Sequence, residues 1–408
     1  MPEVGFTNLL VVCVIALVAP LVLGLAPRLR VPAVVLEIVV GVVVGPSVLG
    51  WVEADLVVSV VAVLGLAFLL FLAGLEIDVH RLRGSVLRLA VLGYAATLLL
   101  GLAVGGGFDQ LGWVHSPVLV AIALSATSLG LVLPVLKDAR QLDSGLGQTV
   151  IAAASVADFA AIVLLSLFFS MSESGTGTRV ALLVLFAGLV ALTAVAALAV
   201  GRLPWLSQAV TRLQDTTAEI RVRAAVVLLV GFVALAAKLG LETILGAFLA
   251  GAVVGLVDRD TSSHPHFRTK LEALGYGFLI PVFFVASGLR LDLAGLIDQP
   301  SALARVPVFA LALLVVHGLP ALLLSRREDG RSVTAAGLLQ ATSLPFLVTA
   351  SEIGVATGTM SGTTAAALVC AGLLSVVAYP TLALGLLRNA KAPAETEHRN
   401  VGLDAGTP

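Results

Sequence analysis

Charge is scarce in this chain. Asp, Glu, Lys and Arg make up only 12% of its 408 residues, against roughly 25% in an average soluble domain. No segment is polar enough to clothe a globular core, so a soluble multidomain enzyme, a disordered chain and a nucleic-acid binder are all excluded. Aromatic residues are also few, at 5%. The two cysteines, Cys13 and Cys370, both lie in apolar stretches and read as small hydrophobes, which removes a disulfide scaffold. The opening MPEVGFTNLL lacks a basic n-region, so the run after it reads as a retained first span and not as a signal peptide. What is present instead is hydrophobicity: 59% of the residues are hydrophobic, with 40 glycines in addition. That is the composition of a polytopic membrane protein.

A helix needs about 20 residues to cross a hydrocarbon core of about 30 Å. Cutting at the polar clusters predicts about 13 transmembrane helices, at 6–27, 32–50, 56–77, 85–106, 117–136, 146–170, 179–201, 222–240, 242–257, 271–289, 301–325, 332–355 and 360–388. The basic residues test this division independently. Twenty of the 24 follow odd-numbered spans, and the other four are Arg179, Lys238, Arg290 and Arg305. By the positive-inside rule the N-terminus is then outside and the C-terminus cytoplasmic. Residues 1–390 read as one transmembrane domain, with a cytoplasmic linker at 202–221 after the linking helix 179–201. Residues 391–408 read as a short cytoplasmic tail, with no soluble nucleotide-binding or regulatory domain after the membrane region.

Three echoes relate the halves 6–170 and 222–388. EIVVG at 37–41 matches ETILG at 242–246, AGLEIDV at 73–79 matches SGLRLDL at 287–293, and Ala-Thr-Ser-Leu recurs at 126–129 and 341–344. The paired segments lie seven spans apart, an odd number, so the second copy crosses the membrane in the opposite sense. Inverted repeats of this kind belong to secondary transporters, whose sites lie near the midplane.

Polar chemistry enters the spans at few places. Ser125, Thr127, Ser128 and Gly130 lie in the middle of span five with Pro134 beyond, and span twelve holds Thr342 and Ser343 followed by Pro345. Proline disturbs the helical ladder, and freed carbonyls at membrane depth survive only in a protein interior or a polar cavity. Matched interruptions therefore point to discontinuous helices whose ends coordinate an ion; serines and threonines that merely allow tight helix packing are the competing reading. Asp158 lies near the middle of span six, preceded by Ser155 and Ala157, with no basic residue nearby in sequence. A carboxylate at the bilayer centre is costly, and such acids are functional candidates by default. Able to hold either a proton or a hard cation, it is a minimal exchange device, and Thr127, Ser128 and Thr342 offer the further oxygens that Na+ or K+ needs. Accessory candidates are Glu76 and Asp78 at the cytoplasmic end of span three, as funnel lining or solvated ends. His317 lies deep in span eleven, as a functional or a packed structural group, and Glu352 near the outer end of span twelve, as a cation attractor or a solvated end. Glu37 and Glu242 start their spans.

These residues give a resemblance to a known family. VVVGPSVLG at 42–50, FLLFLAGLEID at 68–78, the ATS and SVAD segments, ILGAFLAG at 244–251 and PVFFVASGLRLDL at 281–293 are similar to the monovalent cation:proton antiporters. Within them the likeness is to bacterial sodium/proton and potassium/proton exchangers, including the membrane domain of glutathione-gated potassium efflux systems. The resemblance implies the sodium/proton antiporter fold, all-α, with inverted-topology repeats and two discontinuous crossing helices. It implies crossing at Thr127 with Ser128 and at Thr342 through Pro345, Asp158 as the ion- and proton-binding acid, and a homodimer in the bacterial plasma membrane. It puts spans one to three and eight to ten mainly in a dimer and scaffold region beside a six-helix core moving like an elevator. Many relatives carry a second acid or Asn where Ala157 stands, and electrogenic ones a lysine roughly where His317 falls. Losing both is mutually consistent and favours one proton per cation.

The function expected is thus exchange of Na+ or K+ for H+ with no cofactor. Channel-like permeation with an unidentified regulatory subunit and a sodium-coupled solute symporter are the alternatives. An enzyme is disfavoured, because no His/Cys/Asp cluster or nucleophile motif has ligand-like spacing.

Overall fold

In a bilayer each backbone polar group must be satisfied within the chain, which a helix does by itself. The structure, a computed structural model, describes residues 5–25, 32–76, 84–138, 140–142, 144–169, 176–201, 216, 218–258, 266–326 and 328–389. In chain order the helices are α1 Thr7–Leu25, α2 Ala33–Val44, α3 Leu56–Leu75, α4 Gly84–Gln110, α5 Pro117–Ser125, α6 Leu129–Asp138, α7 Gly145–Phe169, α8 Thr176–Gly201 and α9 Ile220–Lys238. They continue as α10 Thr243–Val257, α11 Phe267–Leu274, a π turn Gly275–Leu279, α12 Ile280–Leu289, α13 Leu293–Asp298, α14 Pro300–Leu303 and α15 Arg305–Ala321. A 3-10 turn Leu322–Arg326 then leads to α16 Gly330–Gln340, α17 Pro345–Ala356 and α18 Gly362–Asn389.

Every predicted span holds a helix or a pair of helices. By length and composition, however, eight of the described helical segments are apolar enough to cross a membrane, or nine if the bent pair α16 and α17 counts as one span. Three shorter apolar helices lie at Ala33–Val44, Val180–Ala196 and Thr243–Val257. Most of the expected linker 202–221, the tail 391–408 and Asp78 lie outside the described residues.

The chain forms two compact units. The first comprises Met1–Val79 and Ile162–Asp298, the second His80–Ala161 and Gln299–Pro408. The first unit is held by close backbone approach at glycines. A Cβ at Gly251 of α10 would land on the Phe71 carbonyl of α3, and one at Gly74 of α3 on the Phe248 carbonyl of α10. The same reciprocity joins α2 to α12: Gly41 faces the Val285 carbonyl, and Gly288 faces the Ile38 carbonyl. Where lipid removes the hydrophobic drive between helices, small residues let dispersion act over the whole contact. Beside the α2–α12 contact Val12, Ile15, Val58, Ala62, Val282, Val285 and Ala286 form one apolar core.

Polar ties close the first unit at its rims. Asn8 donates to Asp55 at 3.1 Å, Ser47 to the Leu291 carbonyl at 2.6 Å and Arg290 to Ser59 at 3.0 Å. At other helix ends, buried Asp258 lies 3.7 Å from both Arg221 and Arg268, and Lys270 pairs with Glu219 at 2.9 Å.

The second unit contains both broken helices. Its core runs through Val132, Leu136, Val150, Val333, Ala336, Leu339, Ala383 and Leu387. At one rim Phe108 stacks on Trp113, Phe309 meets both rings edge to face, and Arg305 lies over the Trp113 ring at 5.3 Å while bonding Thr364. Val114 and Met360 form an isolated antiparallel bridge at the same rim.

Candidate functional site

A helix that stops inside an apolar unit leaves carbonyls at its end and amides at the next start without intrahelical partners. Both broken helices of the second unit show how such groups are satisfied. Helix α5 begins conventionally: Ser116 accepts from the Leu119 amide at 3.3 Å, and Pro117 takes the first turn, where no amide is needed. It stops at Ser125, and α6 starts at Leu129. The Ser125 hydroxyl donates back to the Ile122 carbonyl at 3.0 Å, and the ring of His317 on α15 lies 2.8 Å from the Leu124 carbonyl through Nε2.

Two of the three residues between the half-helices reach across to the second break. The Thr127 hydroxyl donates to the Gln340 carbonyl at 2.9 Å, and the Ser128 amide donates to the Thr342 carbonyl at 3.0 Å. Gln340 ends α16 and Thr342 lies just beyond it in the break, so both carbonyls are open to a partner from outside the helix. Helix α17 restarts at Pro345, which has no amide to leave unsatisfied, and the two pieces bend by 41°. The Thr342 hydroxyl turns back to the Leu338 carbonyl at 3.1 Å.

Asp158 on α7 is 4% exposed, and its Oδ2 accepts the Leu129 amide at 3.3 Å. The carboxylate therefore meets the amino end of α6, where the helix dipole favours negative charge. Thr127, Ser128, Thr342 and Ser343 are all buried. The chemistry on hand is one carboxylate, hydroxyl oxygens and non-helical carbonyls in an apolar surround, a donor set suited to a hard monovalent cation or a proton. Among the described residues no three His, Cys, Asp or Glu cluster in a way that would hold a resident metal.

Ser155 and Ala157 flank Asp158 on α7, both buried, with the Ser155 hydroxyl bonded to the Ile151 carbonyl at 2.9 Å. Glu352 is half-buried on α17. Glu76 belongs to the first unit, directly after α3, whereas the other described candidates belong to the second. At Ser343 the backbone is what is engaged. Its amide donates to the Ser375 hydroxyl of α18 at 3.4 Å, and that hydroxyl, which donates to the Gly372 carbonyl of its own helix at 2.7 Å, also lies 3.4 Å from the Ser343 carbonyl. Ser375 and Tyr94, whose hydroxyl lies 3.3 Å from that of Ser125, were not anticipated from the sequence. A lone serine or tyrosine in an apolar helix carries no spacing signal; only its pairing with its counterpart across the break, Ser343 or Ser125, distinguishes it.

The profile of the family described as Sodium/hydrogen exchanger, transmembrane, matches residues 13–384. The chain belongs to that family. Exchanger-family membership places it among transporters and not among enzymes. A relative from Bacillus subtilis (strain 168), the putative Na(+)/H(+) antiporter YjbQ, is 32% identical over 97% of this chain, which spans 65% of that relative's length. The Na(+)/H(+) antiporter of Enterococcus hirae is 26% identical over 91% of this chain and 96% of its own length. The Na(+)/H(+)-K(+) antiporter GerN of Bacillus cereus is also 26% identical, over 88% and 90% respectively. In fold the chain is similar to the sodium proton antiporter MjNhaP1 of Methanocaldococcus jannaschii, with a TM-score of 0.64 at 18% identity over 94% of this chain and 99% of that one.

Proposed function

We propose that the chain is an antiporter that exchanges a monovalent cation, Na+ or K+, for protons at Asp158. The observation that carries this reading is the buried Asp158 carboxylate receiving the amide that opens α6, beside two helices broken at Thr127–Ser128 and Thr342–Pro345. A carboxylate stabilised by a helix start binds a cation in its charged form and loses it on protonation, so the two ligands compete for one charge. Thr127, Ser128, Thr342 and the neighbouring carbonyls supply the remaining oxygens. With Ala157 beside it and no second acid in that turn, Asp158 exchanges one proton per cation and the cycle is electroneutral.

Alternating access on this reading comes from 13 spans arranged as inverted repeats. The reciprocal glycine contacts support the inversion: Gly74 and Gly288 hold equivalent places in the two copies, and each packs against the first helix of the matched pair in the other half. The rims support the alternation of spans. Asn8, Ser47, Asp55, Ser59 and Arg290 join helix ends expected outside, whereas Glu219, Arg221, Asp258, Arg268 and Lys270 join ends expected in the cytoplasm. The protein works as a homodimer in the bacterial plasma membrane.

Proteoliposomes with an imposed Na+ or K+ gradient test the reading. Cation-driven proton movement is expected, and Asp158→Asn abolishes it. Cation flux without proton movement sinks exchange in favour of a channel, and a rate that follows the membrane potential sinks electroneutrality.

A further inference from the structure

Helix α5 ends in the middle of an apolar unit, and its last carbonyls must find donors elsewhere. Two of them do: Ile122 takes the Ser125 hydroxyl of its own helix, and Leu124 takes His317 from another. The imidazole is 2% exposed and also interacts with the Ala126 backbone, just past the helix end. Because a carbonyl oxygen only accepts, Nε2 of His317 carries the proton in this bond.

The position of α15 makes the contact more than a local cap. The next residue, Gly318, packs against Gly337 of α16, where a Cβ would come within 3.2 Å of the Gly318 Cα. Consecutive residues of α15 therefore touch the first half of each broken helix. From Leu124 the chain needs only five residues to reach the Leu129 amide on Asp158. The three residues between Ser125 and Leu129 make no helix of their own. What fixes them is Thr127 and Ser128 on Gln340 and Thr342 at one end, and His317 at the other.

We infer that His317 is a positioning residue: by donating to the Leu124 carbonyl it fixes the end of α5, and so aims the Thr127–Leu129 segment at Asp158. It touches neither cation nor carboxylate and acts through the backbone. The inference rests on the proposed exchange for its consequence in transport, but not for its geometry.

The test compares wild type, His317→Leu and His317→Gln as purified full-length chains. His317→Leu removes the donor at similar volume, whereas His317→Gln keeps a neutral amide donor near the Nε2 position. Hydrogen–deuterium exchange across residues 117–138 reads the geometry without transport. Amides around the break should exchange about tenfold faster in His317→Leu and within about twofold of wild type in His317→Gln, as expected for one buried hydrogen bond. In proteoliposomes the same loss should raise the cation KM roughly tenfold in His317→Leu while the maximal rate changes less than about threefold, with recovery in His317→Gln. His317→Asn, whose shorter amide stops short of Leu124, carries the same expectation as leucine and serves if the leucine chain does not fold. Unchanged exchange and KM in both donor-less variants overturn the inference, as does a His317→Gln chain impaired as deeply as His317→Leu. If wild type moves no protons with the cation, the antiport reading has failed, and the hydrogen-exchange arm still decides the positioning role.

Discussion

Thr127 shows how much one hydroxyl carries where a helix is interrupted. Its Oγ1 donates to Gln340, so Thr127→Val, equal in shape, leaves a buried carbonyl without that donor, at a cost of about 1–3 kcal/mol. The expected result is a cation KM raised about tenfold or more, with Thr127→Ser close to wild type, measured by Na+ and K+ titration of exchange. Asp258 is a second case. Asp258→Ala takes from Arg221 and Arg268 the buried acid they share; because both arginines are partly exposed, the expected loss is about 1–3 kcal/mol, below that of a fully buried pair, read by thermal unfolding in detergent. At this scale the sequence was informative where a polar letter interrupts an apolar run: Asp158, Thr127, Ser128, Thr342 and Pro345 all stood out. The Leu124 and Gln340 carbonyls did not, since every residue has a carbonyl and only the fold decides which ones a break sets free.

At the scale of the element, the helices of the first unit depend on absence of side chain. Gly251→Val would drive a branched side chain into the Phe71 carbonyl, so unfolding at a lower temperature by at least the equivalent of about 1–3 kcal/mol is expected. Gly93→Val on α4, where nothing lies within 4 Å, serves as the tolerant control. In the second unit Asp329 caps α16, accepting from the Arg331 amide, and a hydrogen bond from Ser332 holds its carboxyl below the usual value. Such a group stabilises the helix start above its unfolded pKa and loses that effect only as the pH falls through the lowered one. The cap therefore stays charged throughout the neutral range. Helix positions followed from hydropathy because each apolar run had to become a helix. Span lengths followed less well at α2, a short helix bounded by Pro32 and Gly45, whereas α10 at Thr243–Val257 matches its expected span 242–257 to within a residue. Hydropathy registers apolar residues whether or not they are helical, so the extended turn after Gly45 was counted into its span.

For the whole molecule, the scarce charges predict orientation. In a chain with Cys13 and Cys370 replaced by serine, a cysteine introduced at Thr357 should react with an impermeant maleimide added outside intact cells. One at Glu328 should react only after the membrane is opened. The reverse pattern overturns the N-outside assignment. In the second unit Val114 meets Met360 at one rim and Gly145 approaches Glu328 at another, the pairs of loops that this assignment expects on the same side. The expectation itself rests on 20 of 24 basic residues following odd spans. The division into two units was not legible from residues alone, since contiguous spans fall in both and helix α7 changes unit after Ala161.

The bond from Thr127 to Gln340 joins residues 213 positions apart. A ribosome adding about 5–20 residues per second needs about 10–40 s to cover that distance. During that interval the first break is already made while the carbonyls that complete it do not yet exist, and hydrocarbon offers its amides nothing in exchange. Synthesis therefore has a waiting period, in which α5 and α6 must stay near water or the insertion machinery until α16 arrives. A nascent chain halted before Gly330 should be a substrate for membrane proteases, and one released beyond Thr342 should escape them.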